Sequence, residues 1–279
     1  MSVPAPLVLP GFRILEILGR GAFADVWDAV REVDGRPVAL KVLRATDDAS
    51  RLRFAREASV ARRIDSPYVV RVLDASTSAS PPFLAYEKLV GETLDTRLER
   101  DSWLSLGETW PIVRDVLTGL VAAHASAVVH RDVTPANVFL EATRACLIDF
   151  GVAKARGDSE QQVGTTGGST LGSIAYMAPE QAGGSADADG RADLYAAGAI
   201  AFRALAGRLP FAARSAATML ALKLDRNAPT LGEVTGDQWP AAVEAFLRGT
   251  LARDPSRRFE SSEQALAAWE AVRSAAGVA

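Results

Sequence analysis

The chain is poor in the residues that build small metal sites and disulfide frameworks. Its 279 residues include one cysteine, Cys146, and two histidines, His124 and His130. One cysteine excludes an internal disulfide, and so few thiol and imidazole ligands exclude a zinc site. Cys146 lies in an apolar run and reads as a small buried hydrophobe. No apolar stretch approaches the roughly 18 residues of a membrane span. The N-terminus, MSVPAPLVLPGF, lacks the basic start of a secretory signal. Charge of one sign is also missing: 31 Lys and Arg face 34 Asp and Glu, a net charge of −3. No basic run stands out, so neither nucleic acid nor an anionic lipid surface has an electrostatic footprint. A cytoplasmic protein is expected, and a longer parent protein continuing past Ala279 is compatible with all of this.

What is present suffices for a full core. Hydrophobic residues make up 48% of the chain, ordinary for one large domain or two small ones. Residues 1–11 are proline-rich and expected to be flexible. Short alternating segments follow at Phe12–Leu18, Asp25–Arg31 and Pro37–Leu43, separated by turn residues, with Asp34-Gly35 marking a hairpin. Asp48 to Ile64 has helical periodicity, with Leu52, Ala55, Val60 and Ile64 as its apolar stripe and Ser66-Pro67 as its end. Strands are expected again around Val69–Leu73 and Phe83–Tyr86. The character changes across Glu87–Gly91. Ser105 and Glu108 form a capping box for a long helix, Trp110 to Ala125, with Ile112, Val116, Leu120 and Ala123 apolar. Residues 152–175 read as a long Gly/Ser/Thr-rich loop, and such loops inside a compact domain are usually functional. Asp193 to Ala206 is almost wholly apolar, hence a core helix, with Gly207 at its end. Further helices are expected at 215–224, 240–252 and 262–274, the last with Ser261 and Gln264 as its capping pair. The five tryptophans are scattered and read as packing residues.

The stretch from His130 to Gly151 carries the most chemistry. It holds Asp132, Asn137 and Asp149, separated by the apolar runs Val138-Phe139-Leu140 and Cys146-Leu147-Ile148. Two short strands in a tight hairpin would set Asn137 before one strand and Asp149 after its partner. Such hard oxygen donors suit magnesium carried by a nucleotide. Asp132, on the preceding loop, is placed to meet a substrate hydroxyl. That layout suits phosphoryl transfer, where positioning and charge stabilisation outweigh covalent chemistry. Upstream, Gly19-Arg20-Gly21 sits in a hairpin turn, where glycines let backbone approach phosphates closely. An ordinary turn explains that feature alone about equally well. In Val38-Ala39-Leu40-Lys41, Ala39 and Lys41 share a strand face. A surface lysine is the commoner fate, but a buried Lys41 would need a partner, and Glu57 on the next helix is the natural one.

Taken together, these motifs resemble the Hanks-type protein kinases, in particular the bacterial serine/threonine kinases. The resemblance runs from about Phe12 to Val272 and keeps the family's order: the glycine loop, Val-Ala-Leu-Lys, the helix glutamate, His-Arg-Asp with Asn137 five residues on, Asp-Phe-Gly, and Ala178-Pro179-Glu180. It implies an α+β, bilobal kinase-like fold. A small five-stranded antiparallel lobe with one helix (12–86) would lead through a hinge (87–91) to a larger, mainly helical lobe (92–275), within one kinase domain spanning 12–279. It implies ATP as substrate and Mg2+ as cofactor, with Mn2+ an acceptable replacement.

Roles follow by resemblance. Lys41 would hold the α- and β-phosphates and pair with Glu57, with Gly19 and Gly21 closing over the phosphates. Asp132 would orient and finally deprotonate the substrate hydroxyl. Asn137 and Asp149 would bind the metal. Leu18, Val26, Ala39 and Phe139 would sandwich the adenine, Tyr86 would stand at the back of its pocket, and the backbone of Glu87 and Leu89 would bond its edge. Asp193 would anchor the loop bearing Asp132, Glu180 would pair with Arg258, and His130 would pack under Phe150. His124 reads as a satisfied core histidine. Arg131 beside Asp132 implies regulation by a phosphate on the following loop, with Thr170 first choice, Ser169 second, and Thr166 and Thr165 further candidates.

Three positions depart from the family pattern. Ala24 replaces a glycine, and Ser173 replaces a threonine of the substrate-facing loop while keeping its hydroxyl. Thr134 replaces the lysine that contacts the transferred phosphate, a contact of the kind worth about 2.7–4 kcal/mol in a transition state. The expected function is therefore an ATP-dependent serine/threonine protein kinase acting on protein hydroxyls, autophosphorylating through a transient homodimer, with no nucleic-acid partner and no membrane segment in this chain. Two other readings compete. Thr134 suggests a nucleotide-binding pseudokinase scaffold. The His-x-Asp…Asn loop also occurs in small-molecule phosphotransferases, but Ala178-Pro179-Glu180 and the hydroxyl-rich loop favour a peptide substrate.

Overall fold

The structure is a computed structural model and describes residues 7–21, 23–44, 47–150, 171–182 and 188–276. They divide into two compact units. The first takes the chain through Asp65 and resumes at Val70–Leu89; the second takes Ser66–Val69 and continues from Val90.

The first unit is an antiparallel sheet. Its strands are β1 (Phe12–Arg20), β2 (Ala24–Arg31), β3 (Pro37–Leu43), β4 (Val72–Ser76) and β5 (Phe83–Glu87), in the order β1-β2-β3-β5-β4. The period of two sorts the side chains onto two faces. One face buries Ala29, Val38, Leu40, Val42, Phe83 and Ala85 with Leu9 and Phe12, and the Phe12 and Phe83 rings meet edge-on, 5.0 Å between centroids. The register pairs Val26 with Lys41, Asp28 with Ala39, Lys41 with Leu84 and Ala39 with Tyr86. These six residues therefore share the opposite face.

The helix α1 (Asp48–Ala61) begins at Asp47, whose carboxylate accepts from the Ser50 N–H at 2.8 Å. Its buried face matches the expected stripe only in part, with Ala55 and Val60 half-buried and Ile64 buried beyond its end. Phe54, Glu57, Ala58 and Ala61 are buried, while Leu52 is 54% exposed. The helix also stops at Ala61, before Ile64, where Arg63 N–H closes a tighter turn on Val60 O. Both candidate stripes hold apolar residues. The rotation that won is the one that turns Glu57 inward to an ion pair with Lys41. The fourth strand lies three residues later than expected because Tyr68 and Val69 belong to the second unit. There Tyr68 O accepts from Leu147 N–H at 2.9 Å and Val69 bridges to Leu147.

The second unit is mainly helical. A short sheet comes first in its architecture, with β6 (Glu92–Thr93), β7 (Val138–Leu140) and β8 (Ala145–Leu147) in that order. Unforeseen in the sequence, α2 (Leu94–Asp101) follows β6 directly, capped by Thr93 and burying Leu94 and Leu98. The long helix α3 (Leu106–Ala125) carries the expected capping box between Ser105 and Glu108. Then come α4 (Leu171–Tyr176), α5 (Pro179–Ala182) and the central α6 (Arg191–Ala206), buried along nearly its whole length. Gly207 closes α6 in the left-handed conformation, φ 69°. The chain continues with α7 (Ala216–Asp225), α8 (Leu231–Thr235), α9 (Ala241–Thr250) and α10 (Ser262–Ala276).

Helices α3 and α10 are locked by a reciprocal pair. The Trp110 indole N–H donates to Trp269 O at 3.1 Å, and the Trp269 indole N–H donates to Trp110 O at 2.9 Å. Trp103 departs from the packing role expected of the tryptophans, being 60% exposed. Residues 171–175 depart from the expected loop: Leu171–Tyr176 is helical because Ile174, Ala175 and Tyr176 are buried and give the segment a core of its own. Among the described residues no helix is long and apolar enough to cross a membrane.

Gly91 sets the approach of β6 to β7. It has φ +152°, and a Cβ there would stand 1.9 Å from the Leu140 carbonyl oxygen. Gly236, at φ +80°, has open space around it. Gly236→Ala should cost only the left-handed strain, about 1–2 kcal/mol. Gly91→Ala should cost more than that, because backbone must move. Urea unfolding of the two variants followed by tryptophan fluorescence measures the difference, and equal losses would contradict it.

Candidate functional site

In the first unit the site is built on the sheet face that carries Lys41. The Lys41 ammonium lies 2.7 Å from Glu57 Oε1, both side chains largely buried. Burying the lysine unpaired would be costly, so the pair explains how a charge is tolerated there. The same Glu57 oxygen also accepts from the Tyr86 hydroxyl at 2.9 Å. Tyr86, on the same sheet face as Lys41, thus holds the glutamate. The sequence carried no signal for this, since the two residues are 29 apart.

A second pair was equally hidden: Lys88 Nζ donates to Asp28 Oδ2 at 2.7 Å, joining the segment after β5 to β2. Val26 and Ala39 are half-buried on the Lys41 face, and Leu18 on β1 is 49% exposed. The β1–β2 hairpin closes with Gly21 N–H donating to Ala24 O at 2.9 Å. A Cβ on Gly21 would itself come within 2.9 Å of that oxygen, so the turn has room for glycine only. Gly19 pairs with Val26 across the hairpin. Glu87 N–H is committed to Arg71 O at 2.9 Å, so a backbone contact from Glu87 to a base must use its carbonyl. Leu89 ends this unit.

In the second unit the candidate residues hang from α6. Asp193, 1% exposed, accepts from His130 N–H at 2.8 Å and Arg131 N–H at 2.7 Å, and its Oδ2 lies 2.9 Å from His124 Nε2. One buried carboxylate therefore fixes the two peptides that precede Asp132. His124, placed among the satisfied histidines, also reaches Ser262 Oγ at 3.2 Å. His130 stacks on Phe150, with centroids 4.4 Å apart. Its Nε2 lies 3.2 Å from Ile148 O, an acceptor, and its Nδ1 is 3.3 Å from Asp132 N–H, a donor. That environment selects the Nε2–H tautomer. The ring is a spacer between the Asp132 loop and the Asp149 loop.

Asp132 and Asn137 are held together. The Asn137 amide donates to Asp132 O at 2.9 Å and to Asp132 Oδ2 at 3.2 Å. Both partners are acceptors, so the amide nitrogen is assigned and Oδ1 is the atom able to ligate a metal. The turn Pro135–Asn137 is a short 3-10 helix with the proline at its start, closed by Asn137 N–H on Thr134 O at 2.9 Å. Asn137 leads directly into β7. Val138 pairs with Leu147, and Ile148 N–H donates to Asn137 O at 2.9 Å. Asp149 follows at the same end of the hairpin. Arg131 and Asp149 both adopt positive φ, 64° and 54°. Such strain in non-glycine residues persists only where surroundings impose it, and it gathers at functional sites. Phe139 is half-buried on β7.

A small pocket beside Asp132 is shared by Thr134, Ser173, Tyr176 and Gln181. Ser173 and Asp132 thus line one small space. Glu180 and Arg258 form a bidentate pair at 2.7 and 2.8 Å. The guanidinium is fully buried, donates to the Ala252, Arg191 and Arg253 carbonyls, and lies 4.9 Å over the Tyr195 ring. Thr165, Thr166, Ser169 and Thr170 lie outside the described residues.

The chain matches the family model described as protein kinase domain over residues 12–269. It is 35% identical to the serine/threonine-protein kinase pkn2 of Myxococcus xanthus over 294 aligned residues, covering 99% of this chain and 34% of that protein. It is 37% identical to the serine/threonine-protein kinase PknJ of Mycobacterium tuberculosis, covering 94% of this chain and 45% of that protein. It is 31% identical to the serine/threonine-protein kinase PrkC of Bacillus subtilis, covering 90% of this chain and 39% of that protein. The chain therefore spans less than half the length of these curated relatives.

The roles of the Asp193 and Glu180 carboxylates can be separated by mutation. Asp193→Ala strands two backbone N–H groups, each worth about 1–3 kcal/mol when buried without an acceptor. Glu180→Ala strands a buried guanidinium, a change of about 3–5 kcal/mol. Both variants should lower the urea midpoint of the second unit, and an unchanged midpoint for either would show that its partners find other acceptors.

Proposed function

The chain belongs to the protein kinase family, and from that premise we propose that it transfers the γ-phosphate of ATP to serine or threonine hydroxyls of proteins. The observation that carries this reading is the Asp132–Asn137 pair on a loop suspended from Asp193. A carboxylate so held can orient an incoming hydroxyl and take its proton as the P–O bond forms. Lys41, fixed by Glu57 and Tyr86, presents its ammonium to the nucleotide's phosphates as a point charge. Gly19 and Gly21 let backbone close over those phosphates, and Leu18, Val26, Ala39 and Phe139 provide apolar surface for the base. Glu87 and Leu89 supply backbone to its edge.

Asn137 Oδ1 and the Asp149 carboxylate would hold Mg2+, or Mn2+ in its place. The donor chemistry fits, because hard oxygens from one or two side chains plus phosphates are what that ion takes. Bound there, the metal would neutralise phosphate charge. We further propose that the protein acts in the cytoplasm and autophosphorylates through transient pairing of two copies, with Thr170 the first-choice site, Ser169 the second, and Thr166 and Thr165 further candidates. The support is Arg131, which adjoins Asp132 and is a natural dock for a phosphate.

Thr134 favours a second reading, a nucleotide-binding scaffold without transfer activity. Incubation with MgATP followed by mass spectrometry decides between them. Phosphate is expected on residues 159–173 of the wild type and on neither Lys41→Ala nor Asp132→Asn. A wild type that binds MgATP, by thermal shift, and gains no phosphate anywhere would favour the scaffold. Thr134→Lys should leave transfer within about tenfold of the wild type or raise it, since it restores one phosphate contact. A collapse of activity would reveal a dedicated role for Thr134.

A further inference from the structure

Lys223, in the last turn of α7, is 1% exposed, and among the described residues no carboxylate pairs with its ammonium. Its Nζ instead donates to three backbone carbonyls, Ile174 O at 2.8 Å, Ala175 O at 2.7 Å and Met177 O at 2.7 Å. It also stands 5.3 Å over the Tyr195 ring. Three N–H donors meet three acceptors, a match that only the ammonium makes, because a neutral amine has two N–H bonds and a lone pair. Burial alone pushes Lys223 down to about 7; the three carbonyls and the aromatic face act in the opposite sense.

These carbonyls end the short helix α4 and lead into Ala178-Pro179-Glu180. A helix of six residues has little stability of its own. Its last carbonyls need partners, and Lys223 supplies them. The connection continues toward the site. Ala178 N–H donates to Gln181 Oε1 at 3.0 Å, and the Gln181 amide donates to Arg131 O at 3.0 Å, the peptide that precedes Asp132. Helix α7 is itself held at its C-terminus by Arg253, which donates to Leu224 O at 3.1 Å and Asp225 O at 3.3 Å. Lys223 thus ties a fixed helix to the segment that carries Ser173 alongside Asp132 and Thr134.

We propose that Lys223 is a positioning residue for the protein acceptor: by holding the carbonyls of Ile174, Ala175 and Met177 it sets where Ser173 and the segment through Met177 stand relative to Asp132. The proposal rests on the kinase reading for its effect on transfer, and on geometry alone for its effect on the segment. It accounts for a buried lysine that neither the metal ligands nor the nucleotide-facing residues require.

The test uses Lys223→Met, which keeps the stem and removes the three N–H donors. Three quantities are compared with the wild type: MgATP affinity by fluorescent nucleotide displacement, the KM and kcat for casein as acceptor, and hydrogen–deuterium exchange of residues 172–178. The expected result is MgATP affinity within about twofold, acceptor KM raised at least about tenfold, and faster exchange confined to that segment. Lys223→Arg keeps the charge and should recover part of the KM; it carries the test if the methionine variant does not fold. Wild-type acceptor KM and exchange in a folded Lys223→Met variant would overturn the proposal. So would parallel losses in MgATP affinity, kcat and the urea midpoint, which mark a purely structural lysine. A wild type that binds MgATP and phosphorylates nothing overturns the kinase reading instead, and the exchange comparison still decides whether Lys223 holds the segment.

Discussion

The second unit depends on one buried carboxylate. Asp193 sits on α6, the helix with the most complete burial, and its two oxygens take the backbone N–H groups of His130 and Arg131 and meet the ring of His124. A charge in that position is tolerable only because several donors converge on it. The consequence is stiffness where chemistry needs it. Asp132 follows directly, Asn137 is bonded back to it, and the β7–β8 hairpin carries Asp149 from there. A core helix thereby fixes the backbone that leads into half-buried Asp132, and Arg131, whose N–H is one of the two donors, holds a positive φ of 64°.

The first unit solves a related problem differently. Its sheet has one face closed by a hydrocarbon cluster and one that carries polar groups among apolar ones. On that second face each charge has a partner: Lys41 has Glu57, and Asp28 has Lys88. Tyr86 adds a neutral donor to the glutamate that already neutralises Lys41. A hydrogen-bonded network of this kind restricts Glu57 to one rotation of α1. That restriction, rather than maximal apolar burial, explains why Leu52 is left exposed.

Much of this was legible in the chain itself. Strands β1, β2, β3 and β5 follow alternation and turn residues, and α3 follows its Ser105–Glu108 box. The Lys41–Glu57 contact follows from the cost of burying a lysine alone. What misled were places where a remote partner overrode local signals. Residues 69–71 look like strand, yet Val69 belongs to the second unit, where it bridges to Leu147. Residues 171–175 look like loop by composition, yet Lys223, some fifty positions away, supplies the ammonium that caps the carbonyls of a helix there. Helix α2 was missed because it begins immediately after a two-residue strand, with Thr93 serving both.

The sequence by itself determined the family, the order of the motifs and the identity of the groups that carry charge. Those depend on residue type and spacing, which alternation, helical period and turn chemistry translate directly. Tertiary structure alone decided which oxygen each donor finds. The Tyr86 hydroxyl on Glu57, the three carbonyls on Lys223 and the tautomer of His130 arise between residues far apart in the chain. Hydrogen bonds are directional and short-ranged, so their partners are chosen only once packing has brought the elements together.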